Sequence, residues 1–242
     1  RFQCAADVAY ALSQIHEGAE AATTLPGPRR SKSASPTWTF MDIDLTIYTQ
    51  TILKTCFFGG AFDPPHIGHL SIAQSIMKWG NFDKIIFIPS YKSTHKSDNF
   101  SSIYHRINML KLIVKNKSFL EFSMIDIERK CITYTIDTIR ELKQIYPLEK
   151  QIFFLVGSDS ILNFHKWKNY KSILNSCQII VAPRPKFEID KISKEIKSKI
   201  IVAKVPLSNI SSTEINDRIK KNLPITNYVT KEIENYIISN LI

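Results

Sequence analysis

The chain has 242 residues, of which 44% are hydrophobic, and this composition is that of a globular protein with a sizeable core rather than of a disordered chain. Its formal net charge of +10 suits a polyanionic ligand, although a solvated lysine-rich surface is the simpler explanation. The four cysteines form no C-x-x-C pair and no apolar run reaches the roughly 18 residues of a membrane span, so we expect a reducing, cytoplasmic setting without a membrane.

Composition changes sharply near residue 40. Residues 1–40 are rich in Ala, Gly, Pro, Ser and Arg, whereas Ile, Lys, Asn and Phe dominate from Met41 onward. We expect residues 1–40 to be a flexible or non-native tail, with at most a short helix over about residues 5–16. Residues 41–242 are then expected to form one folded domain.

Buried strands alternate with amphipathic helices through this domain. The predicted strands cover residues 52–58, 84–88, 152–156, 177–182 and 200–205. The predicted helices cover residues 66–79, 101–115, 133–146, 212–221 and 229–239. Near-continuous apolar strands separated by helices predict an α/β fold with a doubly wound, mostly parallel, Rossmann-like sheet and helices on both faces. Ligands bind such sheets beyond the carboxyl ends of the strands.

The most informative segment follows the first predicted strand, where residues 58–70 read FGGAFDPPHIGHL. Glycines let the backbone approach a ligand closely, and the prolines place the helix start near His66. A helix N-terminus attracts phosphate through its N–H groups and dipole. Because His66 and His69 are three residues apart, they share one face there and can neutralise charge that develops on a phosphate chain. A structural turn with a packed histidine is the alternative interpretation.

Residues 59–69 closely resemble the corresponding segment of the nicotinate and nicotinamide mononucleotide adenylyltransferases, which carry the His-x-Gly-His signature. Pantetheine-phosphate adenylyltransferases, cytidylyltransferases and class I aminoacyl-tRNA synthetases share that signature. The signature therefore identifies the superfamily and leaves the substrate open.

Five further segments carry the resemblance to the bacterial nicotinate enzymes. They are His95-Lys96, Thr133–Thr138, Gly157–Ile161, Trp167 and Ser211–Ile215. The resemblance implies that Thr135 lies at the pyridine ring and that Trp167 stacks on it. Each segment alone has a structural alternative, since Tyr134 and Trp167 suit a core and Ser211 or Ser212 suits a helix N-cap.

The resemblance implies adenylyl transfer from ATP to nicotinate mononucleotide, giving nicotinate adenine dinucleotide and pyrophosphate. His66, His69 and Lys96 are the expected catalytic residues. The expected ATP-binding residues are Gly59, Gly60, Ala61, Phe62, His66, His69, Gly157, Asp159, Ser160, Ile210, Ser211, Ser212 and Thr213. The expected mononucleotide-binding residues are Asp63, Lys96, Tyr134, Thr135 and Trp167, with Asp63 better placed to organise the turn than to hold a metal.

We expect Mg²⁺ to be bound mainly through ATP phosphates, because no dense carboxylate cage is visible in the sequence. The sequence departs from the family pattern at Asn216, where the family has Arg, and Asn cannot form a charged fork on phosphate. Arg218 lies on a different helix face from Asn216, whereas Lys220, four residues beyond Asn216, could reach the same face. Because Asn216 itself cannot replace the family Arg, we expect weaker affinity for the ATP phosphates.

Three alternatives stay open at this point. Nicotinamide mononucleotide or pantetheine phosphate is the alternative acceptor, although the Tyr134-Thr135 segment favours nicotinate. A tRNA synthetase fragment lacks support, because no lysine-rich second signature is visible. A basic RNA-binding module on a degenerate fold is the candidate from another class, but no aromatic and basic RNA signature is present, so we expect no nucleic-acid partner. A homo-oligomer is left open.

Overall fold

The computed structural model describes residues 53–92, 101–149, 151–185 and 187–241. The predicted tail over residues 1–40, its short helix and the predicted site residue Lys96 lie outside these ranges. The described residues belong to one compact unit, Leu53–Ile242.

Six parallel strands form one sheet within the described residues, in the order β3-β2-β1-β4-β5-β6. The strands are β1 (Thr55–Gly60), β2 (Lys84–Pro89), β3 (Leu120–Phe122), β4 (Phe153–Gly157), β5 (Gln178–Ala182) and β6 (Ile200–Val202). The chain runs outward from β1 to one edge and then returns to the other side of β1. The order therefore reverses between β1 and β4, where a doubly wound sheet opens a crevice at its carboxyl edge.

Nine α-helices connect or follow the strands in this part of the chain. They are α1 (Ile67–Gly80), α2 (Ile103–Val114), α3 (Ile125–Glu128), α4 (Thr135–Ile145), α5 (Ser158–Ile161), α6 (Tyr170–Ser176), α7 (Lys194–Lys197), α8 (Ser212–Lys220) and α9 (Lys231–Asn240). None of the described helices is long and apolar enough to cross a membrane.

Two apolar clusters cover the two faces of the sheet. Because side chains alternate along a strand, Phe57 and Phe58 point to opposite faces and belong to different clusters. The cluster around Phe58 takes its helical residues mainly from α1, α2, α8 and α9, such as Ile76 on α1. The cluster around Phe57 takes them mainly from α4 and α6, such as Ile139 on α4. This arrangement confirms the predicted doubly wound α/β fold.

The five predicted strands and five predicted helices are all present, with small shifts at their ends. The sixth strand, β3, was not predicted, because its three residues are too few to show an apolar pattern. The strand predicted over residues 200–205 ends at Val202. The short helices α3, α5, α6 and α7 were also not predicted.

Candidate active site

The turn between β1 and α1 brings the backbone to the carboxyl edge of the sheet. A Cβ atom at Gly59 would lie 2.7 Å from the Phe154 ring, so the turn can approach β4 only without a side chain there. Phe62 adopts a φ of 50°, a left-handed conformation that costs a bulky residue energy. Its buried ring packs 4.7 Å from the ring of Phe87, and this contact offsets the cost.

His66 and His69 cap the start of α1 reciprocally. The Nδ1 atom of His66 accepts a hydrogen bond from the His69 amide at 3.3 Å, and the Nδ1 atom of His69 accepts one from the His66 amide at 3.3 Å. The two rings stack with their centroids 3.7 Å apart. Since both Nδ1 atoms accept, these hydrogen bonds place the proton of a neutral imidazole on Nε2 in each ring.

The first amides of α1 are largely engaged within the protein. The Ile67 amide donates to the Tyr228 carbonyl at 3.0 Å, and the His69 amide donates to His66. The sequence-based expectation of free N–H groups at this helix start is therefore wrong for these two amides. The imidazoles, together with the helix dipole, are the groups that α1 offers to a phosphate.

The N-terminus of α8 reaches the same turn from the other side. Ser211 is the N-cap, and its Oγ accepts a hydrogen bond from the Glu214 amide at 3.1 Å, which confirms the predicted cap. The hydroxyl of Ser212 donates to the Pro64 carbonyl at 3.0 Å. The amides of Ser212 and Thr213 precede the capped amide and have no carbonyl partner inside the helix, so they can donate to a phosphate.

Arg106 is a wholly buried cation beneath these turns. Its guanidinium donates to the carbonyls of Ala61 at 2.8 Å, Ser90 at 2.9 Å and Tyr91 at 3.1 Å. Burial lowers the pKa of Arg106, while the nearby charge of Asp63 raises it. One side chain therefore fixes the loop after β1 against the loop after β2.

Sequence reasoning did not identify Arg106, although the helical pattern contained a signal. Arg106 lies on the same stripe of α2 as Ile103, Ile107 and Leu110, which pack in or against the core. A charged residue on the apolar face of a helix is buried at a cost unless it has partners. Its position on the apolar face therefore predicts that Arg106 is buried and hydrogen-bonded within the protein.

Asp63 is also buried, and its contacts are with the protein. Both carboxylate oxygens accept from the Ser101 amide at 3.1 Å, and its carbonyl accepts from the Asn216 side chain at 2.9 Å. The structure thus supports the expectation that Asp63 organises the turn. Its predicted contact with the mononucleotide stays a prediction, because Asp63 does not line the cleft described below.

Asn216 links α8 to the turn and is not one of the residues that line the cleft. Its Nδ2 donates to Asp63, and its buried Oδ1 has no hydrogen-bond partner among the described residues. The Nε of Arg218 donates to the Pro224 carbonyl at 2.7 Å, and its guanidinium lies 4.7 Å from the Tyr228 ring centroid. These contacts hold the Arg218 guanidinium at Pro224 and Tyr228, which do not line the cleft.

The opposite side of the cleft is built on the first turn of α4. Tyr134 is the N-cap residue, and its carbonyl accepts from the amides of Asp137 at 2.9 Å and Thr138 at 3.2 Å. The two preceding amides, of Thr135 and Ile136, have no acceptor within the helix. The start of α4 therefore presents a partial positive charge beside Tyr134 and Thr135.

Asp126 supports this helix start from below, and sequence reasoning did not identify it. Its Oδ1 accepts from the Thr138 hydroxyl at 2.6 Å and from Arg129 at 3.2 Å. Burial raises the pKa of the Asp126 carboxyl, and the Thr138 hydrogen bond lowers it by a smaller amount. Asp126 also lines the cleft, so a buried carboxyl borders the ligand space.

Trp167 and Lys168 close the same side from the segment after α5. The half-buried Trp167 ring packs against Phe164, with centroids 4.9 Å apart. The Nζ of Lys168 lies 4.2 Å from the Tyr134 ring centroid and 3.4 Å from Asp137 Oδ2. Sequence reasoning identified Trp167 but not Lys168, which carries no motif of its own.

The end of β4 forms the third wall. Gly157 is the N-cap of α5, and Ser158 Oγ accepts from the Arg184 amide at 3.0 Å. The Nε of Arg184 lies 3.9 Å from Asp159 Oδ1. Arg184 follows β5 and borders the cleft with Asp159 and Ser160, but it was not among the predicted residues.

These three walls enclose one cleft of about 830 Å³ at the carboxyl edge of the sheet. That volume lies in the range of cofactor and ligand pockets. Of the predicted residues, those lining the cleft are Gly59, Gly60, Ala61, Phe62, His66, His69, Tyr134, Thr135, Gly157, Asp159, Ser160, Trp167, Ser211, Ser212 and Thr213. Asp63 and Ile210 are described but do not line it, and Ile210 packs against the apolar core.

Comparison with known proteins agrees with this geometry. Residues 57–218 match the family model described as cytidylyltransferase-like. A probable nicotinate-nucleotide adenylyltransferase of Bacillus licheniformis is 35% identical over 188 residues, which cover 77% of this chain and 96% of that protein. The nicotinate-nucleotide adenylyltransferase of Bacillus subtilis is 34% identical over 188 residues, with coverage of 77% and 96%. Plasmodium falciparum nicotinic acid mononucleotide adenylyltransferase complexed with NaAD has a TM-score of 0.62 at 25% identity, covering 77% of this chain and 95% of that chain.

The parallel sheet, the His66–His69 helix start and the match to the family model define a nucleotidyltransferase with a Rossmann-like fold. The cleft adds a second phosphate-type helix start and an aromatic wall. The chain belongs to the cytidylyltransferase-like family and, within it, to the nicotinate-nucleotide adenylyltransferases. The resemblance drawn from the sequence is thereby confirmed.

Proposed function

We propose that this protein transfers AMP from ATP to nicotinate mononucleotide, forming nicotinate adenine dinucleotide and pyrophosphate in NAD biosynthesis. The observation that supports this proposal most strongly is that one cleft is lined by three helix N-termini and an aromatic side chain. The starts of α1 and α8 suit phosphate groups, and Trp167 lies with the positive end of α4. His66 and the α8 amides lie on one side, and Trp167 and Thr135 lie on the other. A mononucleotide whose aromatic ring bears a carboxylate needs both sides at once.

In the proposed reaction, an oxygen of the 5′-phosphate of nicotinate mononucleotide attacks the α-phosphorus of ATP in line. A new P–O bond forms as the bond between the α-phosphorus and the bridging oxygen to the β-phosphate breaks, and pyrophosphate leaves with the electron pair. The attacking oxygen is already anionic, so no general base is required. Catalysis comes from alignment and from neutralisation of the developing charge.

Two histidines and one lysine stabilise the charge that develops on the phosphates in this proposal. The Nε2–H groups of His66 and His69 donate to phosphate oxygens, because their Nδ1 atoms hold the helix cap. Lys96 has the same proposed role and lies outside the described residues. The turn at Gly59–Phe62 and the segment Ile210–Thr213 hold the ATP phosphates, while Gly157, Asp159 and Ser160 hold its ribose.

The mononucleotide lies on the α4 side in this proposal. Trp167 stacks on the pyridine ring, and the amides at Thr135 receive its carboxylate beside Tyr134. The positive end of α4 favours the acid over the amide. Asp63 acts indirectly, through its hold on the turn.

ATP would bring a divalent cation to this site. Among the described residues, no three His, Cys, Asp or Glu side chains are grouped so as to hold a metal ion. We propose that Mg²⁺ would be held mainly through phosphate oxygens and water. It would supply charge neutralisation at the phosphates, in addition to that of the two histidines.

The remaining parts of the proposal concern the whole chain. We propose that residues 41–242 form the enzyme, that residues 1–40 take no part in catalysis, and that the protein works in the cytoplasm. The cysteines within the described ranges, Cys56, Cys131 and Cys177, are free thiols, in keeping with a reducing compartment.

The test is pyrophosphate release by the full chain with ATP, Mg²⁺ and either nicotinate or nicotinamide mononucleotide. We expect faster turnover with the acid. A preference for the amide would keep the chemistry and change the substrate, and turnover with pantetheine phosphate alone would move the protein to that activity. Salt-sensitive RNA binding without ATP turnover would favour the binding module instead.

A further inference from the structure

Lys168 is a cation of the cleft that the proposed reaction leaves without a role. It follows Trp167 directly and lines the same wall. Its ammonium lies over the Tyr134 ring, 4.2 Å from the centroid, and 3.4 Å from a carboxylate oxygen of Asp137. A cation held both by a ring face and by a carboxylate keeps a fixed position more readily than a solvated lysine does. The ammonium is therefore held at the first turn of α4.

The ion-pair group that contains Lys168 keeps a net positive charge. Asp137 is shared, because Arg140 Nη1 lies 3.2 Å from its other carboxylate oxygen. Lys168, Arg140 and Asp137 together carry two positive charges and one negative charge, a net of +1. The amino end of α4 adds a partial positive charge at the same place. An anionic group that arrives beside Tyr134 and Thr135 thus meets the Lys168 ammonium and the positive helix end, with the Asp126 carboxyl also lining the cleft.

We propose that Lys168 is a specificity-determining residue that favours the carboxylate of the pyridine ring over its amide. This inference rests on the proposed function, which places the ring between Trp167 and the start of α4. A carboxylate accepts hydrogen bonds from the ammonium and is attracted by its charge. A carboxamide is neutral, and its NH₂ group is itself a donor that cannot accept from the Lys168 ammonium or from the amides of α4. The amide therefore gains less binding free energy at this place than the acid. Lys168 then acts on the ratio between the two substrates rather than on the transfer step.

Two variants and a matched control separate this role from a general effect of charge. Lys168→Gln removes the charge and keeps a long polar side chain, whereas Lys168→Arg keeps the charge. Lys171→Gln is the control, because Lys171 lies in the same segment, pairs with Glu195 at 3.8 Å and does not line the cleft. For each protein, kcat/KM is measured with nicotinate and with nicotinamide mononucleotide at fixed ATP, and binding of each mononucleotide is measured by calorimetry.

We expect Lys168→Gln to lower the acid-to-amide ratio of kcat/KM by about three- to tenfold, the size expected of one partly exposed charge contact. The loss should lie in KM and in binding of the acid, and Lys168→Arg should restore at least half of it. An equal loss with both substrates, an unchanged ratio, or an equal change in Lys171→Gln would overturn the proposal. A wild-type protein inactive with both mononucleotides would instead refute the proposed function itself.

Discussion

The two sides of the cleft are built in different ways. The side with His66, His69 and the start of α8, which we name the phosphate side after its proposed ligand, is held by buried groups that bind backbone atoms. Arg106 binds three carbonyls there, and Asp63 binds an amide. The side with Trp167 and the start of α4, which we name the pyridine side after its proposed ligand, is held by side chains that contact one another at the surface, such as Lys168 with Tyr134. Backbone positions set by buried partners suit chemistry that needs fixed geometry. Half-exposed side chains can change without disturbing the fold, which suits the choice of substrate.

The largest expected effect comes from Arg106. Replacing this buried side chain by Met leaves three partly buried carbonyls without their donor, so we expect the free energy of unfolding to fall by about 3–5 kcal/mol. Urea denaturation of both proteins measures this change. Arg140→Met is the control, since Arg140 is exposed in its ion pair with Asp137 and should cost less than about 1 kcal/mol. Equal losses in the two variants would mean that the phosphate side is not held by Arg106.

His69 tests the chemistry of the same side. Replacing His69 by Ala removes one of two donors to the phosphates, and we expect kcat to fall by about 100- to 1000-fold, as for other preorganised donors. His105→Ala is the matched control, because His105 on α2 is hydrogen-bonded to the Tyr236 hydroxyl of α9 and does not line the cleft. Steady-state kinetics and circular dichroism check activity and folding together. A folded His69→Ala protein with wild-type turnover would remove the proposed role.

The carboxyl of Asp126 gives a smaller effect with a defined pH dependence. Asn keeps the Oδ1 acceptor that serves Thr138 and Arg129, so Asp126→Asn tests the charge alone. Because burial raises the pKa in the folded state, the folded protein holds this proton more tightly than the unfolded chain. The stability of the wild type relative to the variant should therefore fall as pH rises from about 4, the ordinary range of Asp, through the raised pKa.

Urea denaturation of both proteins between about pH 4 and pH 7 measures this difference. A relative stability of the wild type that rises over this range would show that Arg129 and Thr138 outweigh burial. The start of α4 would then be stabilised by the ion pair between Asp126 and Arg129, in addition to the surface ion pair between Lys168 and Asp137.

The phosphate turn could be predicted from the sequence because its elements are consecutive. A strand, two glycines, two prolines and a histidine pair occur within residues 55–69, and each has a local reason. The contacts of Arg106 could not be predicted in the same way, because its acceptors at Ala61 and Ser90 come from other parts of the chain. The sequence indicates that such a residue needs partners but does not name them.

The pyridine side was less predictable for a related reason. Trp167 and Thr135 were found through resemblance, whereas Asp126 and Lys168 depend on contacts between separate segments. The strand β3 was missed because an edge strand of three residues is defined by its register with β2 and not by its composition. Local motifs thus predicted the turn and the histidine pair at the start of α1, and long-range packing determined the contacts around them.

Asn216 carries the smallest expected effect and the sharpest test of the family pattern. If the loss of the family Arg weakens ATP binding, Asn216→Arg should lower KM for ATP by a few fold, because Arg can form a charged fork on phosphate. The same change breaks the 2.9 Å hydrogen bond to the Asp63 carbonyl, so stability should fall by about 1 kcal/mol. Asn216→Ala separates the two effects, since it breaks the link without adding a charge. An unchanged KM for ATP in Asn216→Arg, with the same stability loss in both variants, would show that Asn216 serves only to join α8 to the turn. The phosphate side would then be complete without an arginine at this position.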